Sequence, residues 1–172
     1  MVTSVYRIRK ALRVPLVLAS VLLLILVLIS FFVRGSTPEK IVFSVILIPL
    51  LYLCLEANTR RVETEAETLR LKRFFRTIEV GWPNITDVGV VMMRTKVYTV
   101  LTTTKGFHVL SNSYENFYDL LRTIVDRVDK ERVEKEVLNL LENPVENRTN
   151  ISSAWAAAAF FFVIIFFKLF TN

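Results

Sequence analysis

A chain of 172 residues that is 53% hydrophobic, has only four glycines and a mean hydropathy of +0.46 is too apolar for an ordinary soluble domain. Its formal charge of +6 lies outside the middle of the chain. Residues 56–148 hold 15 basic and 15 acidic side chains, so the excess sits beside apolar segments and reads as a topology signal, not a nucleic-acid surface. One cysteine, Cys54, excludes an internal disulfide and a thiolate cluster, and one histidine, His108, excludes His-rich zinc sites.

Residues 1–13 read as a basic cytoplasmic tail, with Arg7, Arg9, Lys10, Arg13 and no acid. Residues 14–33 are twenty residues without a charge. At about 1.5 Å per residue they can cross a hydrocarbon core of roughly 30 Å. A secretory signal would carry an apolar run of about 7 to 15 residues before a small-x-small site. This stretch is longer and no such site follows, so a retained helix is expected. Gly35, Ser36, Thr37 and Pro38 make a polar turn, with Arg34 and Lys40 against Glu39. Residues 41–55 include Pro49 and would span only about 22 Å, as a kinked short crossing or a re-entrant segment. Arg60 and Arg61 beyond them favour a crossing, because basic residues gather on the cytoplasmic side. Residues 14–56 are therefore expected as a transmembrane hairpin with both ends inside.

From residue 57 the hydrophobic period changes. Leu69 and Leu71, then Ile78 and Val80, read as two strands around a turn at 72–76. Trp82 and Pro83 break the pattern before a third strand with Ile85, Val88, Val90, Val91, Met92 and Met93, where Gly89 suggests a bulge. Residues 97–104 are rich in β-branched side chains and end at a Lys105-Gly106 turn, followed by Phe107, Val109 and Leu110. Ser113 is placed to cap a helix whose Phe117, Leu120, Leu121, Ile124, Val125 and Val128 share one face. A charged helix over 129–141, with Val133, Val137, Leu140 and Leu141 on one side, continues as a connector over 129–149. It serves either as a spacer or as a contact with another subunit.

Residues 150–172 hold a third apolar stretch, 151–170, with Asn150 as a possible cap and Trp155 at interfacial depth. Arg148 keeps the near side in the cytoplasm, and Lys168 can extend its stem to the opposite headgroups, which puts the C-terminus outside. Ala154, Ala157 and Ala158, with their alanine neighbours, offer a small-residue surface for close helix packing.

The acids form no convincing catalytic pair. Glu63, Glu65 and Glu67 alternate along a strand entry as a solvated face. Asp126, Asp129, Glu131, Glu134 and Glu136 are interleaved with Arg127, Lys130, Arg132 and Lys135 as ordinary helix pairs. Glycines 35, 81, 89 and 106 cannot build a phosphate loop, and His108 is expected in solvent beside a turn. No catalytic residue, cofactor or metal site is expected. Residues 70–105 carry seven basic side chains against two acids, and residues 106–146 five against nine. Within the basic part, Lys72, Arg73 and Arg76 flank Phe74 and Phe75. Such a tip can meet anionic headgroups, each cation contributing about 1 kcal/mol; the alternative is one Phe in the core and solvated charges. The sequons at Asn84, Asn147 and Asn150 matter only in a lumenal domain, against which the charge bias argues.

The run Glu79-Val80-Gly81-Trp82-Pro83-Asn84-Ile85-Thr86-Asp87-Val88 follows strand-rich sequence. It precedes two strands around a Lys-Gly turn and a helix containing Tyr118-Asp119-Leu120-Leu121. Over residues 63–128 this resembles the bacterial pleckstrin-homology-like domains, in which a strand ends in Trp, a W-x-x-I element follows and one helix caps an open barrel. The resemblance implies an α+β fold: a PH-like domain over 57–128 set between an N-terminal transmembrane hairpin and a C-terminal transmembrane helix. It also implies a binding or assembly module, not an enzyme. The expected protein sits in a prokaryotic plasma membrane and works as an accessory subunit of a membrane complex or as a homo-oligomer. The alternative is a tethered sensor of acidic lipid headgroups. Membrane lipids and protein partners or further copies are expected; nucleic acid is not.

Overall fold

A computed structural model describes residues 2–32, 35–93, 96–145 and 149–170. The expectations resting on Arg34, on Arg148, on Arg94 as one of the seven basic residues of 70–105, and on the Asn147 sequon lie outside these described residues. In chain order the elements are strand β1 (Val2–Arg7), helices α1 (Lys10–Phe32) and α2 (Thr37–Thr59), and strands β2 (Arg61–Glu65), β3 (Thr68–Lys72), β4 (Thr77–Gly81), β5 (Ile85–Met93), β6 (Lys96–Thr103) and β7 (Gly106–Ser111). Helices α3 (Phe117–Val125), α4 (Lys135–Glu142) and α5 (Thr149–Phe170) follow. Two units result, one of Met1–Arg9 and Thr59–Arg148 and one of Lys10–Asn58 and Thr149–Asn172.

The first unit is α+β, with two antiparallel sheets ordered β1-β2-β3-β4 and β5-β6-β7. The residues expected as a basic tail supply β1, which pairs with β2 across the whole intervening hairpin, Tyr6 opposite Val62 and Arg7 opposite Arg61. Tyr6 and Ile8 are buried at a period of two while Arg7 is exposed, so the basic side chains mask a strand. Strand β6 alternates without a break, turning Val97, Thr99, Leu101 and Thr103 inward. Leu69 and Leu71 of β3 do the same. Helix α3 adds Phe117, Leu120, Leu121 and Ile124, all essentially without solvent contact. Each such side chain favours folding by about 1.5–3 kcal/mol in transfer from water.

Three local expectations are corrected. Helix α3 starts after Asn116, held at φ 52° with no side-chain cap, and Ser113 instead accepts the Arg9 backbone N–H through its carbonyl at 3.0 Å. The helix expected over 129–141 is a short 3-10 turn, Lys130–Arg132, an extended step, and then α4. The step bridges Val133 to Val88, and the Glu134 N–H donates to the Val88 carbonyl at 3.0 Å, which covers an edge of β5. Buried Val137 and Leu140 then seat α4 on its own unit. Gly89 is no bulge: it pairs in register with Val100, and the irregularity lies between Ile85 and Asp87. Its missing side chain makes room for Glu134, whose Oε2 would stand 2.8 Å from an added Cβ.

In the second unit, α1, α2 and Ile151–Phe170 of α5 are each long and apolar enough to cross a membrane. Helix α2 runs through Pro49 for 23 residues, so the expected fifteen-residue segment is extended by its polar flanks. Ala19, Leu23 and Leu26 of α1 pack on Ala158, Phe161 and Ile165 of α5, and Phe43, Leu47 and Leu50 of α2 lean on that cluster. Small side chains at the crossing let two backbones approach in lipid, where no hydrophobic effect drives helices together.

Candidate functional site

Cross-strand register decides the fate of the acids. Glu63 faces Arg70, which faces Glu79, on one face of the first sheet. Glu63 is only 6% exposed and sits among three cations. Lys72 Nζ is 3.1 Å and Arg70 Nη1 3.9 Å from Oε2. Arg61 Nε is 2.9 Å from Oε1, as a charge contact without hydrogen-bond geometry. Arg70 also reaches Glu65 at 3.0 Å and Glu79 at 2.7 Å. The expected solvated face at Glu63 is therefore a partly buried ion-pair ladder, and Lys72 belongs to it.

The other members of the basic-aromatic tip stay at the β3–β4 turn. The Arg73 N–H donates to the Arg76 carbonyl at 2.8 Å, closing the turn. Phe74 and Phe75 meet edge to face at 4.3 Å, with Phe74 half-buried and Phe75 82% exposed. Arg73 and Arg76 are exposed and form no ion pair among the described residues. His108 of β7 joins them: burial, then the charges of Arg73 and Arg76, hold its imidazole below its ordinary value. His108 was expected in solvent beside a turn; it is half-buried and within reach of the charges of Arg73 and Arg76. Strand β7 and the β3–β4 turn belong to different sheets, so no local pattern announces this.

The charges interleaved around residue 130 also serve the sheets. Arg127 stacks over the Trp82 ring at 5.2 Å, donates to the Ala66 carbonyl at 3.0 Å and also to the Glu65 carbonyl. The Trp82 Nε1–H donates to that same Glu65 carbonyl at 3.2 Å. Arg132 donates to the carbonyls of Pro83 at 3.2 Å and Ile85 at 2.8 Å. The W-x-x-I element, a 3-10 turn over Trp82–Asn84 leading into buried Ile85, is thus clamped by two arginines from later in the chain.

A second surface lies at the end of β5. Val91, Met92 and Met93 end β5 with exposures of 51, 56 and 62%. Three consecutive exposed apolar residues break the alternation a half-buried strand should keep.

Among the helices, Ala158 is buried against α1 while Ala154 and Ala157 are half-buried. Lys168 was expected to extend its stem towards headgroups; within the unit it has protein partners. Its Nζ donates to Ser30 Oγ at 3.0 Å and pairs with Glu39 at 2.6 Å, tying the end of α5 to α1 and α2. Among the described residues no three of His, Cys, Asp and Glu converge where a metal ion could be held. Comparison with protein-family models, with curated proteins and with solved structures finds no match for this chain.

Proposed function

We propose that this chain is a non-catalytic integral membrane protein of a prokaryotic plasma membrane. Its soluble unit is a PH-like assembly module, working in a larger membrane complex or as a homo-oligomer. The observation that carries this reading is the β5–β6 hairpin, which ends in exposed Val91, Met92 and Met93. Apolar clusters in water mark contact surfaces, and Met side chains adapt to partners of different shape. The PH-like assignment is supported by seven strands in a four-plus-three arrangement followed by a helix with one buried face. A cytoplasmic N-terminus and soluble unit, with the C-terminus outside, is supported by the basic flanks of α1 and by both ends of the hairpin entering one unit. The full chain extracted in mild detergent should run as an oligomer or with retained partners. Met92→Asp combined with Met93→Glu should release them without loss of folding. A lone monomer across several mild detergents would overturn the assignment.

A second reading, a tethered sensor of acidic headgroups, is favoured by exposed Arg73 and Arg76 beside exposed Phe75 on one turn. Full-length protein in nanodiscs should then bind acidic vesicles more tightly than neutral ones, less so as salt rises. Arg73→Gln with Arg76→Gln should abolish the difference. Equal binding to both vesicle types removes this reading.

A further inference from the structure

Lys10 and Arg13 open α1 on one face, and Val14, Val17, Leu18 and Val21 continue that face at helical spacing. Together with Asn58 of α2 they line a groove of about 540 Å³. Its floor is apolar and exposed along the helix, while its mouth holds two cations and no acid. Neither Lys10 nor Arg13 forms an ion pair among the described residues, and the Arg13 Nε is buried without a hydrogen-bond partner. A guanidinium donor in that state needs an acceptor, because an unmet buried polar group is costly. Asn58 is held in the wall by its Nδ2–H donating to the Cys54 carbonyl at 2.8 Å. From Lys10 to Val21 the stripe descends about 16 Å, roughly half a hydrocarbon core.

We propose that this groove is a binding site for one anionic glycerophospholipid, its phosphodiester held between Lys10 and Arg13 and an acyl chain laid along Val14, Val17, Leu18 and Val21. Positive charge at the mouth and apolar side chains below it match both parts of such a lipid. A soluble phosphate would leave the floor unused, and a zwitterionic lipid would bring its own cation to the mouth. The site's residues belong to the membrane unit, whereas Arg73 and Arg76 belong to the other unit.

Native mass spectrometry of the full-length protein in neutral detergent tests the proposal, with phosphatidylglycerol and phosphatidylcholine as probes. One phosphatidylglycerol should be retained, with a preference over phosphatidylcholine of about thirtyfold, the worth of two interfacial cations. Lys10→Gln with Arg13→Gln should remove the preference. Val17→Trp keeps every charge, and so the insertion signal, but fills the groove; it should lose the adduct as well. Equal retention of the two lipids, an adduct that survives Val17→Trp, or displacement by glycerol 3-phosphate as effective as by phosphatidylglycerol would each overturn the proposal.

Discussion

Glu63 is the residue whose neighbours were hardest to foresee, since three cations from two strands converge on it. Glu63→Gln leaves Arg61 and Lys72 facing one another without their common counter-ion. Because these partners are 28–38% exposed, solvent screens part of the loss, and a cost of about 1–2 kcal/mol in urea unfolding is expected. At Gly89 an alanine must displace the Glu134 carboxylate, which accepts the Val90 N–H at 3.3 Å. Gly89→Ala should cost about 1 kcal/mol, and the double change with Glu134→Ala should cost less than the sum of the single ones, as a thermal denaturation cycle would show. His108 is held below its ordinary value, so the unfolded chain takes up the proton first as pH falls. The associated stability is full above about pH 6.5 and is lost as pH falls through the lower folded value. His108→Gln should flatten that acid-side decline in unfolding curves. Sequence alone places these residues on strands, but which charges meet depends on register between segments far apart, and that information is not local.

Strand β1 is the clearest case of an element hidden by its surroundings. Arg7 lies opposite Arg61, so the ends of β1 and β2 stand side by side. Ser113 and Tyr114 bind those ends: Arg9 donates to both of their carbonyls, at 3.0 Å through its backbone and 3.3 Å through Nε, and Arg60 Nε donates to the Tyr114 hydroxyl at 2.9 Å. A shortened chain in which residues 2–9 run through an Asn-Gly turn into residues 59–145 should therefore fold in water as a monodisperse domain. The same chain without residues 2–9 loses Tyr6 and Ile8 from the core, with a cost of about 3 kcal/mol or more, and should aggregate; circular dichroism and urea titration distinguish the two. Strands β3 to β7 and helix α3 were legible because each carries its own period of two or 3.6 and its own turn residues. Strand β2 was legible only as a strand entry with a solvated acidic face, because the cations that meet Glu63 and Glu65 are Arg70 and Lys72 of β3 and Arg61 of β2 itself.

For the whole molecule, the span Glu39–Lys168–Ser30 closes the end of the helix bundle away from the N-terminal cations. Lys168→Met should weaken α5 docking by about 0.6 kcal/mol and at most about 1.7, the range for interhelical hydrogen bonds in membranes, measured by denaturant titration in detergent. The three long apolar stretches, their order, and the uncharged balance of the segment between them were settled by the sequence itself, because membrane helices need only their own backbone bonds and an apolar surface. Tertiary structure alone decided that the residues before α1 complete a sheet with those after α2, that His108 comes within reach of the charges of Arg73 and Arg76, and that Lys168 meets Ser30 and Glu39. Each of these depends on contacts between segments far apart in the chain, whose own composition is compatible with several partners.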